Sequence, residues 1–210
     1  MLSNQAISEC LAAYGDGPTD AQCEQVRAYI SLLLKWNKSM SLTTVTEEAE
    51  VLKFHFGESL FALRSISGIE NGRLADVGAG AGFPGLPIRI FSPELELVLI
   101  ESNAKKCAFL SEVVRHLDLK GVCVRRSRFE ETSEFQGKID TISARALGDY
   151  DQFLEWALGS LAVGGRIALW LGEDDASDIS RKRGWNWDDP VRIPASQHRL
   201  ILAGSPVARQ

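Results

Sequence analysis

The residues best suited to chemistry in this chain sit in one run, Asp76-Val77-Gly78-Ala79-Gly80-Ala81-Gly82-Phe83, with a second acid, Glu101, 25 residues after the first. Glycine lets a chain turn tightly, adopt positive φ and bring backbone amides against a ligand with no Cβ in the way. Where a helix follows, such a loop can receive a carboxylate or a phosphate on its exposed amides. A dinucleotide loop spaces its glycines as GxGxxG, the last one letting helix and strand pack closely. Here Phe83 holds that last position and the third glycine comes one residue early. Asp76, just ahead of the loop, is placed to reach the ammonium of an amino-acid moiety, and Glu101 to accept both hydroxyls of a ribose. Together they favour S-adenosylmethionine as the ligand, with an NAD-binding Rossmann oxidoreductase as the alternative.

These residues need a scaffold that brings them together. Up to about residue 65 the chain reads as helical. Asp20 is a candidate cap for a helix carrying Val26, Ile30, Leu33 and Leu34 at helical spacing, and a second stretch from Glu47 carries Val51, Leu52, Phe56 and Leu60, interrupted by Gly57. From Arg73 on, strands and helices alternate. Strands are expected at Leu74–Val77, Leu95–Ile100, Gly121–Val124, Lys138–Ile142 and Arg166–Leu171, the last fed by a Gly164-Gly165 turn. Pro84 and Pro87 fit the opening turn of a helix, and Cys107, Leu110, Val113, Val114 and Leu117 form one helical stripe. A further strand at Arg199–Ala203 is expected antiparallel beside the fifth. Such alternation implies an α/β, doubly wound, mostly parallel sheet. Its ligand then lies at the carboxyl ends of the strands, where Asp76–Gly82, Glu101, Phe129-Glu130 and Ser143–Arg145 converge.

Composition agrees with an ordinary globular protein: 210 residues, 45% apolar and 24% charged. The four cysteines form no CxxC pair, so free thiols in a reducing compartment and no metal site are expected. The N-terminal residues do not read as a signal peptide, and no apolar run approaches the ~20 residues that span a bilayer. A cytoplasmic protein is expected. The net charge of −5 argues against indiscriminate nucleic-acid coating, yet Lys105–Arg128 holds seven bases against Glu112 and Asp118. Arg192, Arg199 and Arg209 stand in an acid-free C-terminal stretch.

The stretches LLLKWNKSMSLTTV, HFGESL, DVGAGAGFPGLPI, LIESNAKKCAFL, SRFEE and SARAL, in that order, resemble the bacterial 16S rRNA guanine-N7 methyltransferase G family, also called glucose-inhibited division protein B. The resemblance implies a seven-stranded, Rossmann-like, class I S-adenosylmethionine-dependent methyltransferase domain at 66–210 with an N-terminal helical extension at 1–65. It implies cofactor contacts at Gly78, Phe83, Phe129, Glu130 and Arg145, beside Asp76, Gly80 and Glu101 from the loop reading. Phe129 offers an apolar face to a base or serves as core, and Phe83 covers the cofactor or packs under the helix. Arg145 binds a carboxylate or RNA, or makes a surface ion pair. His55, Arg145 and Arg199 are candidate substrate contacts. The chain departs from the family pattern at Glu58, where an Asp is usual, at Ser41-Leu42-Thr43, where Asn-Leu-Thr is, at Leu171, where Lys is, and at Gln197-His198-Arg199, where Glu-Arg-His is.

The implied partner is 16S rRNA or a small-subunit precursor, with no membrane and no metal, and a monomer is the working expectation. Guanine N7 carries a free lone pair, so methylation there needs no catalytic base and no catalytic acid or base is named. Nucleophile, methyl carbon and sulfur must instead be held in line at about 3–3.5 Å with water excluded. That edge lies in a deep, narrow groove in paired RNA, so an unpaired or everted guanine is the expected target. The remaining alternative is a non-catalytic, cofactor-binding ribosome-assembly factor.

Overall fold

The carboxyl ends of four parallel strands do meet along one edge, as the alternating pattern requires. The computed structural model describes residues 2–207. Strands β1 (Arg73–Val77), β2 (Glu96–Glu101), β3 (Val122–Arg126), β4 (Ile139–Arg145) and β5 (Leu161–Gly172) are mutually parallel in the order β3-β2-β1-β4-β5. The order reverses between β1 and β4, which opens a crevice above β1. β8 (Arg199–Pro206) runs antiparallel beside β5. Its outer edge is shared by two short segments, β6 (Trp185–Trp187) and β7 (Val191–Arg192). The described sheet therefore has eight strands, in seven positions, where seven strands were expected. β6 and β7 were missed because two or three residues show no alternation to read.

Helix α1 (Asn4–Leu11) and α2 (Asp20–Asn37) open the chain. The cap of α2 is Thr19 rather than Asp20: its hydroxyl accepts from Gln22 N while the Gln22 side chain accepts from Thr19 N at 2.9 Å, a reciprocal capping box. The run from 48 to 65 consists of α3 (Glu48–Val51), a π-helical segment (Leu52–Gly57), α4 (Glu58–Leu60) and α5 (Ala62–Ser65). The apolar residues expected to share one stripe, Val51, Leu52, Phe56 and Leu60, are all buried despite the wider π turn. They join Ile7, Val26, Leu33 and the sheet residues Leu74, Leu97 and Leu99 in one hydrophobic cluster, so the N-terminal helices complete the core on one face of the sheet.

The opposite face is covered by α8 (Tyr150–Ser160) and α9 (Glu173–Ile179), which bury Phe153, Leu154, Ala157 and Ile179 against Ile142, Ile167 and Leu202. α6 (Gly85–Phe91) and α7 (Ala104–His116) complete the βα units, with Pro87 in the first turn of α6. Gly164-Gly165 lies inside β5 rather than before it, where the register to β4 shifts between Ile139 and Thr141. Among the described residues no helix is long and apolar enough to cross a membrane, and no group of three or more His, Cys, Asp or Glu is placed to hold a metal. Cys10, Cys23, Cys107 and Cys123 are all free thiols. Arg209 lies outside the described residues.

Candidate functional site

The glycine loop is built from β1 upward. Gly78 N and Ala79 N both donate to the Ile100 carbonyl, at 2.9 and 3.2 Å, so the loop folds over the end of β2. Gly78, Gly80 and Gly82 take φ of +68°, +56° and +91°. At Gly82 the need for glycine is also steric, since a Cβ would stand 2.4 Å from both Leu86 Cδ1 and the Tyr29 hydroxyl. Tyr29 Oη donates to the Ala81 carbonyl and so pins the loop to α2 from behind.

Glu101 is buried at the end of β2 and receives Gly80 N at 3.0 Å on Oε2 and Asn103 N at 2.8 Å on Oε1. Each carboxylate oxygen has two lone pairs, so both retain accepting capacity toward a ligand. A cleft of about 300 Å³ opens beside it, walled by Val77, Gly78, Ile100, Glu101, Phe129 and Leu147. Phe129 is half-buried, with its ring against Phe153 and Trp156 at 6.1 and 5.5 Å, while Glu130 is exposed at the cleft mouth. Gly78 keeps this cleft open: a Cβ there would meet Leu147 Cδ2 at 3.2 Å from across the cleft.

Asp76 is brought to the crevice but is not one of its walls. It is fully buried, accepting from Gly85 N and from Ser143 Oγ at 2.9 Å each, its strand neighbour in register being Ser143. Burial pushes its pKa up to about 7 against those two hydrogen bonds and the nearby Arg145. Phe83 likewise turns away from the cleft. Its ring stacks on Tyr29 at 5.2 Å, meets Phe56 edge-on at 5.5 Å and lies 4.8 Å from the His55 ring.

A larger cleft of about 770 Å³ lies on the other side of β4, walled by Thr43, Phe54, His55, Arg145, Ser196 and Arg199 among others. His55 Nε2 shares a 2.7 Å hydrogen bond with Thr43 Oγ1, and Nδ1 is buried without a partner. Burial, then the adjacent Arg145, lowers the His55 pKa to about 4, so the ring is neutral near pH 7. Arg145 and Arg199 converge on one buried acid, Glu58. A third cleft of about 360 Å³ joins the two, sharing Leu147 with the first and Glu58, Arg145 and Arg199 with the second.

Glu58 is the residue that reading the chain missed, having registered only as a departure from a family pattern. Two such departures are one contact here, Glu58 with Arg199, separated by 141 residues. No local spacing signals a pair so distant. Of the seven bases between Lys105 and Arg128, three pair locally: Arg115 with Glu112, Lys120 with Asp118 and Arg125 with Glu134. Arg128 lines the mouth of the 300 Å³ cleft.

A parallel sheet reversed between β1 and β4, with a glycine loop and an acid at its carboxyl edge, is the fold of S-adenosylmethionine-dependent methyltransferases. It is similar to a SAM-dependent methyltransferase of Aquifex aeolicus, with a TM-score of 0.64 at 17% identity over 75% of this chain and 93% of that one. A precorrin-6y C5,15-methyltransferase of Geobacter metallireducens gives 0.60 at 13% identity over 80% and 92%. The family model described as rRNA small subunit methyltransferase G, or GidB, matches residues 22–188, and the chain belongs to that family. Among its relatives, ribosomal RNA small subunit methyltransferase G of Alkaliphilus metalliredigens is 39% identical over 100% of this chain and 83% of its own length. That of Roseiflexus sp. is 35% identical over 93% and 88%.

Proposed function

We propose that this protein transfers a methyl group from S-adenosylmethionine to N7 of a guanine in 16S ribosomal RNA or its small-subunit precursor. Family membership supports the reaction and the substrate class. The observation that carries the site assignment is the chain of three clefts, the first built on Gly78 and Glu101 and the last on His55, Arg145 and Arg199. We further infer a division into a helical extension, 1–65, and a methyltransferase domain, 66–210, acting as a monomer in the cytoplasm.

The first cleft fits an adenosyl group. Glu101 faces it with lone pairs for a ribose diol, the Gly78 position leaves the space a Cβ would fill, and Phe129 offers a ring to the base while Glu130 stands at the mouth. The bound cofactor supplies an electrophilic methyl group on a sulfonium. Guanine N7 supplies the lone pair, so this chain needs no proton acceptor. Asp76 and Phe83 act from beneath: Asp76 fixes the start of α6 to β4, and Phe83 backs the loop with aromatic packing. Arg145 stands at the junction, walled into the two larger clefts while its charge acts on Asp76. A neutral His55 adds no positive charge beside an approaching lone pair.

The test is methyl transfer from labelled S-adenosylmethionine to small-subunit particles that lack the modification. Label should enter 16S rRNA with the native protein and be lost with Gly78→Asp, whose side chain fills the cleft. Absence of label from every RNA offered, by folded protein that binds S-adenosylhomocysteine, contradicts the proposal.

A further inference from the structure

Glu58 has no chemical task in that reaction, yet its side chain is costly to place. Only 3% of it is exposed, and a carboxylate withdrawn from water is tolerated only when paired and hydrogen-bonded. One oxygen, Oε2, takes both Arg199 Nη1 at 2.6 Å and Arg145 Nη2 at 3.2 Å. The backbone beneath it is tied to β5, where Trp170 Nε1 donates to the Glu58 carbonyl at 2.8 Å. The carboxylate thus projects from a fixed root and gathers two cations from the end of β4 and the start of β8.

Neither arginine pairs with another acid among the described residues, and each repels the other. Arg199, with a side chain 49% exposed, is held over the cleft, among the described residues, by Glu58 alone. Two guanidinium groups against one carboxylate leave one net positive charge on the wall common to the two larger clefts. That charge matches a single phosphodiester, and a guanidinium fork matches phosphate oxygens geometrically.

We propose that Glu58 is a positioning residue of the substrate site. It holds Arg199 against Arg145 so that their remaining N–H groups take one backbone phosphodiester of the RNA. The inference rests on the rRNA reading above.

The test measures binding of unmodified 16S rRNA between 50 and 200 mM KCl, with KM and kcat for methyl transfer, in Arg199→Gln, Glu58→Gln and the double variant. Each single variant should raise the rRNA Kd and KM roughly tenfold and lower the slope of log K against log salt by about one. The value of kcat and the affinity for S-adenosylhomocysteine should stay within about threefold. The double variant should be no worse than Arg199→Gln alone, because Glu58 acts through that arginine. Glu58→Asp keeps the charge with a shorter reach; it should raise KM less than Arg199→Gln and add nothing to it, and it decides the matter should Glu58→Gln not fold. Additive effects, or a wild-type salt slope and KM in Arg199→Gln, overturn the proposal. A wild-type protein that methylates no RNA sinks the functional reading itself, whereas an active one with indifferent variants sinks only this inference.

Discussion

Asp76 and His55 are ionisable groups that burial drives in opposite directions on the stability axis. The Asp76 pKa rises from 3.8 to about 7, so the folded state binds the extra proton between those values and ionisation costs stability as pH increases. The His55 pKa falls from 6.5 to about 4, so here the unfolded state binds the extra proton and stability is lost as pH drops through that window. Their contributions cancel in part between pH 4 and 6.5, and single variants separate them. The unfolding free energy of wild type relative to Asp76→Asn should fall from about pH 4 to about pH 7 and level off above. Relative to His55→Gln it should be constant above about pH 6.5 and fall below. Denaturant titrations from pH 4.5 to 8 check both signs. A flat difference for Asp76→Asn across that range would mean its carboxylate is ionised throughout.

At the scale of elements, the loop between β1 and α6 tolerates change far less than the termini of the helices. Gly82→Ala places a methyl group 2.4 Å from Leu86 and Tyr29 at a φ of +91°. Strain and overpacking together should cost roughly 2–5 kcal/mol. Thr19→Ala removes a cap that leaves α2 otherwise packed, and should cost about 1 kcal/mol. Thermal and denaturant unfolding of the two variants tests the order; equal losses would mean the loop relaxes around a side chain. The same contrast explains what was legible in the chain. Strands β1, β2, β4 and β5 and the stripe of α7 follow from runs of apolar residues, and the glycine loop from its composition. Asp20 and Thr19 are both good caps by type, and only the reciprocal bond with Gln22, which the sequence does not show, distinguishes them. At the π turn of Leu52–Gly57 and the irregularity within β5, the glycines Gly57 and Gly164-Gly165 mark the place of the break, but their spacing does not give its form. The direction of side chains at Asp76 and Phe83 was equally hidden. Each sits at the right place in the chain to touch a ligand, and each is turned into the protein, by Ser143 and Gly85 in one case and by Tyr29 and Phe56 in the other.

For the whole molecule, the N-terminal helices and the sheet share one hydrophobic cluster, from Ile7 and Phe56 to Leu97 and Phe109, so residues before 66 build the wall of the 770 Å³ cleft as well as the core. They supply Thr43, His55 and Glu58, while the sheet supplies Arg145 and Arg199, and neither half makes the site alone. The net charge of −5 belongs to the whole chain, whereas the 770 Å³ cleft gathers two arginines on one buried acid. On this reading the arrangement methylates one kind of atom, N7 of guanine, in small-subunit rRNA. The decisive measurement is mass mapping of 16S rRNA nucleotides before and after treatment of unmodified particles with the protein and S-adenosylmethionine. One new 7-methylguanosine should appear, at a single unpaired position; methylation on a different atom or base, or no change in any nucleotide, would rule the assignment out.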